Sequence, residues 1–172
     1  MITKMSYDID GVLGDFSNYL LHYLDIPDKS PVLKFADQRI IDNIERVYDD
    51  KKFWLSIPQL VYSLPIPAHC YNTNRPVPVE WTYEWLWKHK FQYAEVYAIG
   101  GKHEYYASKV DAFRESGATH HVDDAIHNYE QLTEAGIPCF LLTADYNKSV
   151  ETNMRIDSLS DLPLALIHHR II

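Results

Sequence analysis

Apolar positions in this chain fall into short runs whose spacing changes along the sequence. Met5 to Ile9 is a short run that ends in acid and predicts a first strand. Residues 15 to 48 read as helical. Phe16, Tyr19, Leu20, Tyr23 and Leu24 recur at helical spacing, as do Ile40, Ile41, Ile44, Val47 and Tyr48, and Pro27 and Pro31 separate the two runs.

From residue 68 onward the two spacings alternate. Ala68–Asn72, Glu95–Ile99, Thr119–Val122 and Pro138–Leu142 read as strands. Val79–His89, Glu104–Ser116 and Ala125–Ala135 read as helices, and Gly117 and Gly136 stop the last two. Within the first of these, Trp81 and Trp85 are expected to stack, and Glu84 to pair with Lys88, both at i and i+4. Tyr106, Val110 and Phe113 share one face of the second. The tail beyond Asn147 reads as irregular or short helix. Such alternation predicts an α/β fold with a mostly parallel sheet. Ligand-handling residues of such sheets collect at the carboxyl ends of the strands, near the point where strand order reverses.

The polar residues at those ends carry the candidate chemistry. Asp8 and Asp10 follow the first strand, and in extended chain they lie on the same side, with Gly11 free to turn sharply after them. Two close carboxylates repel, so an ionised pair favours a cation; the plainer reading is an Asx-type turn. Asp123-Asp124 closes the fourth strand. Asp124 reads as a helix cap for the segment from Ala125, which leaves Asp123 without a structural reason to be acidic. Carboxylates from two strand ends make a hard-oxygen site suited to Mg2+. Thr73, in Asn72-Thr73-Asn74-Arg75-Pro76, offers a hydroxyl to a phosphoryl oxygen or simply a turn before Pro76. Lys109 is a solvated helix lysine when taken alone, and Lys102 competes with it for a role near the acids.

Taken together in chain order, Asp8-Ile9-Asp10-Gly11-Val12-Leu13, Thr73, Lys109 and Val122-Asp123-Asp124 resemble the four motifs of the haloacid dehalogenase superfamily of phosphohydrolases. The resemblance implies a Rossmann-like core from residues 1–13 and 66–172, with residues 14–65 inserted as a small helical cap. It implies Asp8 as nucleophile and Asp10 as general acid and base. Mg2+ would be held by the Asp8 side chain, the Asp10 backbone carbonyl and an acid of the fourth motif, Asp123 or its neighbour Asp124. Thr73, Asn74 and Lys109 would bind the phosphoryl group. Within the superfamily, Asp15-Phe16, Phe53-Trp54 with Ile57-Pro58, and Tyr146-Asn147 with Arg155 resemble the 5'(3')-deoxyribonucleotidase group and its small bacterial and phage relatives. Leu64-Pro65-Ile66-Pro67 stands where that group has a proline-glycine segment. The implied substrate is a small phosphate monoester such as a (deoxy)nucleoside monophosphate. A nucleic-acid end, another small phosphometabolite and a non-catalytic interaction module are the alternatives.

Composition narrows the partners. The formal charge of -8 disfavours a broad nucleic-acid surface. No 18-residue apolar span suggests a membrane segment, and no leader-like segment opens the chain. Cys70 and Cys139 sit in strand-like runs and read as buried thiols in a reducing cytoplasm. A phosphoacceptor receiver would place its lysine after its acceptor acid, and Gly100-Gly101 lacks the remaining spacing of a dinucleotide fingerprint. Arg75 reads as a substrate-anion contact or a surface ion pair. Of His120 and His121, only one can face inward on a strand.

Overall fold

A computed structural model describes residues 2–28, 30–32, 37–99 and 106–169. Lys102, Gly100-Gly101 and the expected helix start at Glu104 lie outside them. The sheet has six strands: β1 (Met5–Tyr7), β2 (Ala68–Thr73), β3 (Glu95–Ala98), β4 (His120–Asp123), β5 (Cys139–Leu142) and β6 (Arg155–Ile156). All pair in parallel, in the order β3-β2-β1-β4-β5-β6. The chain therefore builds outward from β1 to one side and then crosses to the other. That reversal lies between β1 and β4, where Tyr7 sits opposite Val122, and Asp8 N extends the ladder to Val122 O at 2.9 Å.

The helices are α1 (Phe16–Tyr23), α2 (Gln38–Ile41), α3 (Lys51–Ser56), α4 (Val79–Lys88), α5 (Lys109–Ser116), α6 (Ile126–Glu134) and α7 (Leu162–His168). The segment expected to be helical from 15 to 48 is broken into α1, the single turn of α2 and a 3-10 turn at Ile44–Val47. None of these short pieces is a stable helix on its own: α1 packs its aromatics on Phe53 and the 3-10 turn buries Val47, whereas α2 buries no side chain. Phe53 packs against Tyr19, Tyr23 and Trp54, and joins Leu20, Val47 and Ile57 in the same core as the strand residues Met5, Tyr7 and Val122.

Four local expectations differ from the structure. Glu84 does not pair with Lys88. It meets Lys51 at 2.6 Å, while Lys88 donates to Leu55 O at 2.6 Å, because α3 lies close enough to offer tertiary partners to both. The Trp85 ring meets His89 and Phe91. Tyr106 stands outside α5, in a bridge to Ile99, because Ser108 is extended and caps the helix through Asp111 N at 3.1 Å. β6 is a strand where irregular chain was expected; two residues carry too little pattern to announce themselves. Both cysteines are buried and free. Among the described residues no helix is long and apolar enough to cross a membrane.

Candidate active site

The loop after β1 is wound tightly. Leu13 N and Gly14 N both donate to Ile9 O, and Gly11 N donates to Gly14 O, each at 2.8 Å. Gly11 has φ +90, a left-handed conformation that glycine adopts without penalty. A Cβ there would also collide with the Asp124 carboxylate. This winding brings Asp8, Asp10 and Asp124 to one cavity of about 260 Å³, which Thr73, Asn74 and Tyr146 also border.

Behind the cavity lies a buried charge cluster. Lys109, at the first position of α5, points its ammonium at two carboxylates: Asp8 Oδ1 at 2.9 Å and Asp123 Oδ2 at 2.5 Å. Asp123 is saturated. Its Oδ2 also meets His121 Nε2 at 3.0 Å, and its Oδ1 accepts from Ala125 N at 2.9 Å and Asn128 Nδ2 at 3.1 Å. Asp124 does not take the helix-capping role expected of it: Ala125 is the N-cap of α6 and no side chain caps the helix, while Asp123 holds Ala125 N in an Asx-type turn. Within β4, His121 and Asp123 project to the same side, and Asp124, the next residue, to the other.

Asp124 has a different environment. Tyr146 OH donates to its Oδ2, and its Oδ1 is buried without a hydrogen-bond partner. One ligand oxygen each from Asp8, Asp123 and Asp124 lie within 4.8 Å of one another, a grouping that could hold a metal ion. Three carboxylates around one ammonium, when all are ionised, carry two negative charges that it does not offset. That deficit equals the charge of one divalent cation.

The titration behaviour follows from the geometry. Burial pushes the Asp8 carboxyl up to about 7; Lys109 opposes this, and Asp123 adds to it. Burial raises Asp124 strongly, with repulsion from Asp123 and Asp8 acting in the same direction. Asp123 is also desolvated, yet Lys109 and His121 outweigh that and hold it well below the usual carboxylate range. Lys109 is held above its ordinary value, because the two carboxylates outweigh its own burial. Burial lowers His121, which keeps it a neutral hydrogen-bond partner.

Thr73 ends β2, and its Oγ1 accepts from Arg75 N at 3.3 Å. Asn74 is exposed at the cavity edge. Arg75 is buried, not a surface residue. Its Nε and Nη2 donate to Asp10 Oδ2 and Oδ1 at 2.8 and 2.7 Å. The loop after β5 is fastened by Asn147. Its side-chain amide donates to Asp124 O and Leu142 O, and Arg155 Nη1 and Nη2 donate to its Oδ1 and backbone O. Tyr146-Asn147 and Arg155 therefore include a structural brace for Asp124. Sequence reading missed His121 and Asn128 as partners of Asp123. The i and i+2 spacing of His121 and Asp123 was the available signal.

One solved structure supports the architecture. A crystal structure of 2-haloacid dehalogenase from Pseudomonas syringae pv. Tomato DC3000 superposes with a TM-score of 0.53, at 13% identity, covering 98% of this chain and 100% of that one. The chain has the haloacid dehalogenase-like fold. A structure of a Pnkp1/Rnl/Hen1 complex aligns over 81% of this chain and 45% of that one, at 15% identity and a TM-score of 0.44, too low to carry an argument. No protein-family profile matches the chain, and no curated protein matches it. Within the HAD-like fold the four sequence motifs fall at the carboxyl ends of β1, β2 and β4 and at the start of α5, with Asp8, Asp10, Thr73 and Asp124 on one cavity and Lys109 and Asp123 buried behind it.

Proposed function

We propose that this protein is a magnesium-dependent phosphohydrolase that acts on a small phosphate monoester through Asp8. The observation that carries the reading is the uncompensated charge around Lys109, together with the partnerless Asp124 Oδ1, on the wall of a cavity that Asp8 and Asp10 enter. The donor set, all carboxylate oxygens with room for water, suits Mg2+. Asp8, the Asp10 backbone carbonyl and Asp124 would hold it. Asp123, with each oxygen already taking two donors, is the anchor of Lys109 and the better structural residue. When bound, the cation would offset phosphate charge that otherwise repels the nucleophile.

An Asp8 oxygen attacks phosphorus in line, an O–P bond forms, and the ester P–O bond breaks. Asp10 gives its proton to the leaving alkoxide. A water then attacks the aspartyl-phosphate, Asp10 takes a water proton, and inorganic phosphate leaves with Asp8 restored. Thr73 Oγ1 donates to a phosphoryl oxygen, with Asn74 beside it. Lys109 keeps the carboxylates from repelling one another. Dehalogenation of a haloacid needs no general acid, so Asp10 at the cavity favours phosphate-ester chemistry.

A (deoxy)nucleoside monophosphate is the proposed substrate. Val32, Ile40 and Ile44 border the same cavity, with Phe16 and Trp54 stacked at 5.5 Å, so an apolar wall stands beside the charged floor and could take a base. The two buried thiols are consistent with a reducing cytoplasm. The test is hydrolysis of an ester panel, including deoxy- and ribonucleoside monophosphates, aryl phosphate and phosphorylated oligonucleotides. Wild-type protein with Mg2+ releases phosphate, and Asp8→Asn does not. Equal rates for the two proteins, or full activity in excess chelator, would overturn the proposal.

A further inference from the structure

Asp10 bears one feature that general acid–base chemistry does not by itself require. Both of its oxygens accept from one guanidinium, that of Arg75, in a planar two-point pair. The two partners differ sharply in exposure. The Arg75 side chain is 1% accessible, whereas that of Asp10 is 22% accessible and faces the cavity. Arg75 borders the same cavity but exposes almost none of its side chain there, and its forked pair of donors is spent on Asp10.

The guanidinium is itself fixed. Its central carbon lies 4.8 Å from the Trp85 ring centroid and 5.7 Å from that of Trp54. Each indole is pinned by its own hydrogen bond: Trp54 Nε1 to Val47 O at 2.7 Å, and Trp85 Nε1 to Ile57 O at 2.9 Å. Trp85 also packs tightly on the β1 loop, since a Cβ on Gly14 would lie 3.1 Å from its ring. The same indole thus locates both the loop that carries Asp10 and the guanidinium that orients its carboxylate. Arg75 Nη1 is buried without a partner. A buried cation with an unmet donor is kept at a cost that simple fold stability does not recover.

We infer that Arg75 is a positioning residue: backed by Trp85 and Trp54, it sets the plane and direction of the Asp10 carboxylate for proton transfer to and from the leaving oxygen. The inference rests on the phosphohydrolase reading above. A lysine offers one point charge in place of the planar fork, so it cannot set the plane.

The experiment separates proton transfer from binding through the leaving group. An acidic phenol departs without a proton, whereas an alkanol needs one. The proteins are wild type, Arg75→Lys, Arg75→Gln and Asp10→Asn, with Arg75→Ala for the rescue below, each checked for folding by near-ultraviolet circular dichroism. The substrates are 2,4-dinitrophenyl phosphate and an alkyl phosphate. Both Arg75 variants are expected to lose about 10- to 100-fold in kcat on the alkyl ester, less than the ~10²–10⁴-fold expected for Asp10→Asn. On the dinitrophenyl ester the phosphorylation of Asp8, read as the first-turnover burst of dinitrophenol, should stay within about threefold, while the later hydrolysis of the intermediate, which needs Asp10 for either ester, slows. Free guanidinium at millimolar concentration should restore part of the alkyl-ester rate to an Arg75→Ala protein. Equal losses in the phosphorylation of Asp8 by both esters, or a rise in KM with kcat intact, would mean that Arg75 acts on the substrate phosphate and would overturn the inference alone. A wild-type protein that hydrolyses neither ester would overturn the phosphohydrolase reading and the inference with it. If Arg75→Gln fails to fold, Arg75→Lys and the guanidinium rescue decide the matter.

Discussion

Binding of Mg2+ should depend steeply on pH, and the slope can be worked from the cluster around Lys109. Asp8 titrates near 7 in the metal-free protein, against 3.8 for an unperturbed aspartate. A cation takes the ionised form. At pH 5, two units below that value, about one Asp8 in a hundred is ionised, whereas at pH 8 nearly all are. From Asp8 alone, the apparent dissociation constant should therefore rise about 100-fold between pH 8 and pH 5, equivalent to about 2.7 kcal/mol. Asp124 is raised as well and adds a second proton of the same sign, so the measured slope should be steeper. Asp123 is held too low and Lys109 too high to titrate in this window. The stability consequence has a definite sign. A carboxyl raised on folding keeps its proton in the folded state, so the metal-free fold loses stability as pH rises from about 4 to about 7, by up to about 4 kcal/mol for Asp8. Burial lowers His89, His120, His121 and His127, and these act in the opposite direction below pH 6.5. The informative quantity is therefore the difference between melting temperatures with and without Mg2+ at each pH. Calorimetric titration with Mg2+ in two buffers of different ionisation enthalpy gives affinity and proton release together. An affinity constant within threefold from pH 5 to pH 8, with no proton released, would refute the assignment of these carboxylates as ligands.

The two neighbouring aspartates should respond in opposite ways. Asp123→Asn leaves Lys109 buried with half its compensation and should cost about 3–5 kcal/mol in urea unfolding. Asp124→Asn removes a crowded carboxyl, so the metal-free protein should melt higher while Mg2+ no longer raises its melting temperature. Gly11→Ala forces a side chain into the left-handed region and against Asp124; a loss of about 1–3 kcal/mol in urea unfolding is expected, along with weaker Mg2+ binding by calorimetry. Arg155→Ala frees the loop that Asn147 ties to Asp124 O. It should cost about 2 kcal/mol by urea unfolding, and unchanged stability would show the brace to be idle.

Much of this arrangement was legible in the order of residues, for a physical reason. Strands leave a period-two apolar signature and helices a longer one, so the pattern alone puts Asp8, Thr73 and Asp123 at strand ends and Lys109 on a helix. What could not be read depends on partners distant in sequence. Arg75 finds Asp10, and Glu84 abandons Lys88 for Lys51, because α3 and the β1 loop arrive from elsewhere in the chain. β6 exists only because Leu141 and Leu142 offer it a parallel edge. Asp123 and Asp124 are alike in composition, and only the pleat of β4 tells them apart.

That last distinction has a consequence for how the protein can fail. Which aspartate anchors Lys109 and which meets the cavity is decided by the alignment of β4 on β1, with Tyr7 opposite Val122. A slip of one residue would turn Asp124 inward and Asp123 outward while leaving the same two carboxylates in nearly the same place. Such a misaligned chain would have lost the four donors that Asp123 collects, and with them its reason to stay folded. The neighbouring acids thus act as a proofreading pair for the central strands: only one alignment satisfies the buried lysine.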